Sequence, residues 1–144
     1  MKKMITYSKT ETQKLAQSLG EKLQKGCVLC LSGELGAGKT TFTQGLAKGL
    51  DIHQNVNSPT FVMMKEYEGR LTLIHIDAYR LEGISQDLGF EDYFDDEHVC
   101  VIEWSEFVQD YLPDDAFYIT INRLDENVRE IILNLNQELE AQLC

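Results

Sequence analysis

Cys27-Val-Leu-Cys-Leu-Ser-Gly-Glu-Leu-Gly-Ala-Gly-Lys-Thr40 is the stretch on which the fold turns. Its first six residues form a short apolar run, the kind a strand buried on both faces shows. From Gly33 to Thr40 the chain matches G-x-x-x-x-G-K-[ST] in full, and Lys39–Leu50 continues as a helix. Each part of that pattern has a physical task. The glycines allow backbone angles that turn N–H groups inward around phosphates. The helix beginning near Lys39 aims the positive end of its dipole at the same anion. Lys39 neutralises the β- and γ-phosphates, and the Thr40 hydroxyl ligates Mg²⁺. The pattern alone occurs in unrelated chains, but a buried strand before it and a helix after it make this a phosphate loop for ATP and Mg²⁺.

Working outward, Thr10 reads as a helix N-cap with Gln13 as its capping-box partner. Leu15, Ala16, Leu19 and Leu23 then recur at helical spacing as far as Gly26. Downstream, Phe61–Tyr67 and Leu71–Ile76 read as two strands around the hairpin signal Glu68-Gly69. Short helices and loops over Leu81–Glu97 lead to a buried strand at Val99–Ile102 and a helical Trp104–Tyr111. Phe117–Ile121 and Val128–Leu135 alternate like strands about a tight turn at Asp125–Asn127, and Gln137–Leu143 suits a final helix. The order predicts one α/β domain over residues 1–144, a P-loop NTPase fold with a mixed, mostly parallel central sheet flanked by helices.

A phosphate-loop enzyme needs a carboxylate at the end of a buried strand to hold the Mg²⁺ shell. Asp77 follows Leu71–Ile76, and Glu103 follows Val99–Ile102. With both strands as parallel neighbours of the first, both acids emerge at its carboxyl edge. Thr60, in Asn57-Ser-Pro-Thr60, could offer its hydroxyl to Mg²⁺ or the γ-phosphate, as the switch threonines of GTPases do. A strand-entry turn is the plainer reading of that segment. Arg80 could offset charge near the phosphates or pair with a surface acid. His75 shares a strand face with Asp77, which fits a core position or a role behind the site.

Asn122-Arg-Leu-Asp125 resembles the Asn-Lys-x-Asp guanine reader of GTPases. Three features count against that reading. Arg stands where Lys is needed, Arg80 replaces the glycine expected three residues after Asp77, and a second strand beginning near Val128 puts Asp125 in a hairpin turn rather than at a ligand edge.

Formal charge is −11, from 13 basic and 24 acidic residues. A nucleic-acid binder shows a basic footprint, so any link to RNA runs through a partner protein. The densest acidic stretch, Glu91–Glu97, reads as a solvated surface or a docking patch for a basic partner. Cys27 and Cys30 have the spacing of a zinc or redox pair, but in a strand residues three apart point to opposite faces. No apolar run approaches the roughly 20 residues of a membrane span, and the basic N-terminus lacks the apolar stretch of a secretion signal. A cytoplasmic protein is expected.

Gly33–Phe42, Ser58-Pro-Thr60, His75-Ile-Asp-Ala-Tyr-Arg80 and Ile102-Glu-Trp104 fall in the order and spacing of the bacterial tRNA threonylcarbamoyladenosine biosynthesis TsaE family, and the chain resembles that family over nearly its whole length. The phosphate loop is generic; the His-x-Asp-x-Tyr-Arg and Glu-Trp elements are specific to the family. The resemblance implies an ATPase that joins TsaB and TsaD in modifying adenosine 37 of tRNA, touching the tRNA only through that complex. It implies Lys39, Asp77 and Glu103 as catalytic residues and Thr40 and Glu103 as Mg²⁺ ligands, with Trp104 beside the nucleotide. The candidate nucleotide-binding set is Glu34, Leu35, Gly36, Ala37, Gly38, Lys39, Thr40, Thr41, Thr60, Trp104 and Arg129. Ala78 and Ser105 stand where the family commonly has Leu and Pro, away from the chemistry. The rival reading is a small-molecule P-loop kinase, which usually carries an arginine-bearing lid; Leu81–Glu97 contains neither Arg nor Lys.

Overall fold

The computed structural model describes residues 1–34, 36–57, 64–81 and 89–143. Strand β1 (Lys2–Thr6) precedes helix α1 (Lys9–Lys22), followed by β2 (Cys27–Gly33) and α2 (Lys39–Gly49). Then come β3 (Met64–Tyr67), β4 (Thr72–Asp77), β5 (His98–Glu103), β6 (Phe117–Arg123), β7 (Arg129–Asn134) and α3 (Gln137–Gln142). Single 3₁₀ turns at Ala78–Leu81 and Phe90–Tyr93, and a longer one at Ser105–Tyr111, take the place of α-helices in the connections.

The strands form one seven-stranded sheet in the order β1-β7-β6-β2-β5-β4-β3. Its centre, β6-β2-β5-β4, is parallel. The β3–β4, β6–β7 and β1–β7 pairs are antiparallel. The expected mixed, mostly parallel sheet is what forms. The hairpin at Glu68-Gly69 is present, with Tyr67 opposite Leu73.

Alternation on the strands sorts the core into two faces. Leu29, Leu31, Val99, Val101, Ile119 and Ile131 point at α1 and α2 and bury Leu19, Phe42 and Leu46 against them. Val28, Cys30, Ile74, Ile76, Cys100 and Ile102 point the other way, onto Val108 and the 3₁₀ turns. Cys27 packs on the helical side and Cys30 on the other, so the two thiols straddle the sheet as expected. The α1–α2 contact is backbone-close. A Cβ at Gly45 would lie 2.3 Å from Gln13 O, and one at Gly49 2.3 Å from Gln17 O.

Four expectations need correction. The cap of α1 is Ser8, whose hydroxyl accepts from Glu11 N at 3.1 Å, and not Thr10. Strand β1 went unread because it is a short edge strand whose apolar Ile5 is 39% exposed, leaving no clean alternation. Only β5 is an immediate partner of β2 among the acid-bearing strands; β4 lies one strand further out. Finally, β6 is itself a parallel neighbour of β2, with Ile121 opposite Gly33. The turn after β6 therefore does sit at the ligand edge, and one of the three grounds against a base-reading turn falls away. Thr60, the start of the strand expected at Phe61, and Leu35 lie outside the described residues.

Candidate active site

The strand β2 delivers the chain to the carboxyl edge of the sheet, and the loop that follows must turn sharply into α2. Gly36 at φ 81° and Gly38 at φ 109° occupy the left-handed region, which side chains other than glycine's enter only at a cost. Gly38 is the N-cap of α2 and contributes no side-chain cap, and the N-terminus of that helix, where an anion is favoured, opens at the cavity.

Asp77 and Glu103 end β4 and β5 and stand opposite one another in register, with Leu31 of β2 opposite Glu103 on its other side. Both acids lie at the carboxyl edge beside the loop, where the sequence reading put them. Glu103 is buried at 8% exposure. Its Oε2 accepts a hydrogen bond from His75 Nε2 at 2.7 Å, and its Oε1 is 3.5 Å from Lys39 Nζ. Burial by itself would raise this carboxyl, but the His75 hydrogen bond and the cationic Lys39 outweigh it and hold the group below its ordinary value. Lys39 also stands 5.6 Å from the centre of the Trp104 ring. Asp77 Oδ1 accepts from Tyr79 N at 3.0 Å and so caps the 3₁₀ turn that follows β4.

Trp104 directly follows Glu103 and is left-handed, at φ 61° and ψ 43°. A non-glycine residue in that region carries strain of about 1–3 kcal/mol. Its ring is 5.1 Å from that of Tyr79 and stacks on Phe107 at 6.1 Å. The conformation keeps the indole at the rim of the site, 41% exposed.

These groups surround a cavity of about 580 Å³, within the range of small-ligand sites. Gly36, Ala37, Gly38, Lys39, Thr40 and Thr41 form its floor, and Asp77, Glu103 and Trp104 one end. The other end was not anticipated. It is built from Ser8, Lys9 and Thr12 at the start of α1 and from Glu126, Asn127 and Arg129 around the β6–β7 turn. Of these, only Arg129 was in the candidate set. A Ser-x-x-Glu signature at Ser8–Glu11 was available to locate the α1 terminus, but nothing local says that this terminus faces the loop. Glu34 is exposed and does not line the cavity; its carbonyl accepts from Ala37 N at 3.0 Å within the loop.

Arg129 is committed to backbone. Its Nε donates to Ala37 O at 2.8 Å, and Nη1 donates to Asp125 O, Glu126 O and Val128 O at 2.9–3.1 Å. It is thus a strut between the phosphate loop and the hairpin turn.

The donor set suits a hard cation. Thr40, Asp77 and Glu103 bring oxygen atoms to one cavity, and no group of three or more His, Cys, Asp or Glu side chains that could cage a metal occurs among the described residues. Mg²⁺ is held in this manner, by one or two protein oxygens plus phosphates and water.

Comparison with known proteins shows the family and the fold. A family model described as "Threonylcarbamoyl adenosine biosynthesis protein TsaE" matches residues 6–131. The chain is 43% identical over 143 residues to the tRNA threonylcarbamoyladenosine biosynthesis protein TsaE of Bacillus subtilis, covering 99% of this chain and 90% of that one. It is 40% identical over 129 residues to the protein of the same name from Treponema pallidum, covering 88% and 96%. Among solved structures, the crystal structure of Bacillus subtilis YdiB superposes with a TM-score of 0.80 at 36% identity, covering 98% of this chain and 90% of that one.

Proposed function

The chain belongs to the TsaE family of threonylcarbamoyl adenosine biosynthesis proteins, and from that premise we propose that it is a Mg²⁺-dependent ATPase serving that tRNA modification as a single domain. The observation that carries the reading is the Lys39–Glu103 contact of 3.5 Å inside a cavity floored by residues 36–41 of the phosphate loop. A cation for phosphate and an anion for metal are adjacent and line one cavity, the first half-buried and the second buried.

In this reading the loop N–H groups and the α2 terminus bind the phosphates, and Lys39 leaves Glu103 to neutralise the β- and γ-oxygens. Thr40 and Glu103 hold Mg²⁺, which when bound offsets the charge that develops on the transferring phosphoryl group. Asp77, at the same cavity, supports the metal or the attacking water. Trp104 borders the nucleotide, and Arg129 keeps the loop and the hairpin turn in fixed relation. Leu35 and Thr60 belong to the same proposed set by sequence alone.

The partners proposed are TsaB and TsaD, with tRNA met only through them, in the cytoplasm. The charge of −11 supports the indirect route. Among the described residues, no helix is long and apolar enough to cross a membrane. Hydrolysis by the isolated chain is slow, since no second cation is contributed by Leu81–Glu97, and a completing group raises γ-phosphoryl transfer by about 10³–10⁵ in related enzymes. The acidic Glu91–Glu97 stretch is the proposed docking face.

The test has two parts. Calorimetric titration with Mg²⁺·ATP should show binding that Lys39→Ala weakens by about 1.5–3 kcal/mol; unchanged affinity sinks the phosphate-loop assignment. Steady-state phosphate release should rise on adding the purified TsaB–TsaD pair. Full activity without the pair would refute the coupling while leaving the chemistry intact.

A further inference from the structure

His75 is an anomaly in its surroundings. It lies on the helical face of β4 between Leu73 and Asp77, opposite Val101 of β5, and is wholly buried at 0% exposure. An apolar side chain would fill that place without the cost of burying an imidazole. Its Nδ1 has no hydrogen-bond partner among the described residues, so the whole polar investment is spent on the other nitrogen. That nitrogen, Nε2, donates to Glu103 Oε2 at 2.7 Å.

The effect on Glu103 is geometric. A glutamate at a strand end has three rotatable bonds and two equivalent oxygens. Here Oε2 is tied back onto β4, and Oε1 is the oxygen that faces Lys39 at 3.5 Å on the cavity side. The carboxylate therefore offers the cavity one oxygen in one orientation.

We propose that His75 is a positioning residue, which fixes Glu103 as a single-oxygen ligand for the divalent cation of the nucleotide complex. This rests on the reading above that Glu103 holds the metal. Groups that fix a metal ligand from behind are typically worth about 10–100-fold in metal affinity or activity. His75 itself touches neither nucleotide nor cation.

The experiment uses the full chain, Mn²⁺ as a spectroscopic stand-in for Mg²⁺, and a non-hydrolysable ATP analogue. Electron paramagnetic resonance of free Mn²⁺ gives the metal affinity of the analogue complex; calorimetry in chelator gives the metal-free affinity for the analogue. His75→Leu removes the donor and keeps an apolar fit. His75→Gln can place an amide N–H near the same point, whereas the shorter His75→Asn cannot reach.

Mn²⁺ affinity is expected to fall about tenfold or more in the Leu and Asn variants. The Gln variant should recover most of it, and metal-free analogue affinity should not change in any of the three. Should the Leu variant fail to fold, the Gln–Asn contrast carries the same information. Wild-type Mn²⁺ affinity in the Asn variant, or equal losses in Asn and Gln, would overturn the positioning role. Glu103→Gln separates the two levels. If that variant binds Mn²⁺ as well as wild type, the metal reading of Glu103 fails and the role of His75 with it. If it loses Mn²⁺ while the His75 variants keep it, His75 alone has been misassigned.

Discussion

Asp77 and Glu103 are register partners across β4 and β5, yet they are held in opposite ways. Glu103 is buried between His75 and Lys39, while Asp77 is half-buried and accepts from the backbone of its own turn at Tyr79. The two carboxylates should therefore fail differently. Glu103→Ala is expected to lower kcat by about 10²–10³ with ATP affinity little changed, because transition-state charge loses its support while the phosphate contacts survive. Asp77→Ala should also cut hydrolysis more than binding, but with a loss of thermal stability from the uncapped turn. Phosphate-release kinetics and thermal melts on both variants decide this. A wild-type rate in either one removes that residue from the chemistry.

Trp104 is the one tryptophan in the chain. It sits against Lys39, with its ring partly in solvent. Nucleotide that draws Lys39 toward phosphate changes the charge next to the indole, so its emission should shift on adding ATP, ADP or a non-hydrolysable analogue. No response to any of the three would place the ring outside the site's influence.

Cys27 and Cys100 have thiols pushed up from an ordinary 9.0 to about 12 by burial, with nearby Asp115 adding to the effect at Cys27. Below pH 9 both are protonated in folded and unfolded chains and stability is unaffected. Between pH 9 and 12 the unfolded chain has released protons that the folded chain retains, so stability falls as pH rises. Urea midpoints should therefore decline from pH 8.5 to 10.5 in the wild type. The decline should be shallower in a Cys27→Ala, Cys100→Ala double variant. Parallel slopes would mean these thiols are not the groups responsible.

Gly45→Ala tests the helix contact. Alanine gains roughly 1 kcal/mol in a helix interior. Its Cβ, however, would meet Gln13 O at 2.3 Å and Gln13 Cα at 2.8 Å, both backbone atoms of α1. Overpacking costs about 1–3 kcal/mol and occasionally more, and a backbone clash puts this site at the upper end. Net destabilisation in urea unfolding is expected, and an equal or higher midpoint would show that α1 and α2 can separate freely.

Much of the site could be read from local signals. The phosphate loop is contiguous, its glycines are demanded by backbone angles, and the flanking strand and helix carry their own periodicities. Glu103 and Asp77 were found because acids ending buried strands converge once the strands are parallel. What escaped was non-local. The His75–Glu103 bond depends on the register of two strands 28 residues apart in sequence. The order β2-β5-β4 is set by packing and not by any segment alone. The start of α1 and the β6–β7 turn reach the cavity only because β6 joins β2 in parallel, an arrangement that the hairpin pattern of Phe117–Leu135 conceals.

The Arg129 strut also bears on when the site comes into being. Arg129 and Ala37 are 92 residues apart, and both neighbours of β2, β5 and β6, come from later in the chain. A nascent polypeptide that has emerged with its entire phosphate loop still lacks the strands that flank the loop and the arginine that braces it. Contacts of such long range are closed late and slowly. The pocket therefore closes only once the β6–β7 hairpin has been made and docks against β2, and a chain truncated before Arg129 would carry the whole motif without the pocket.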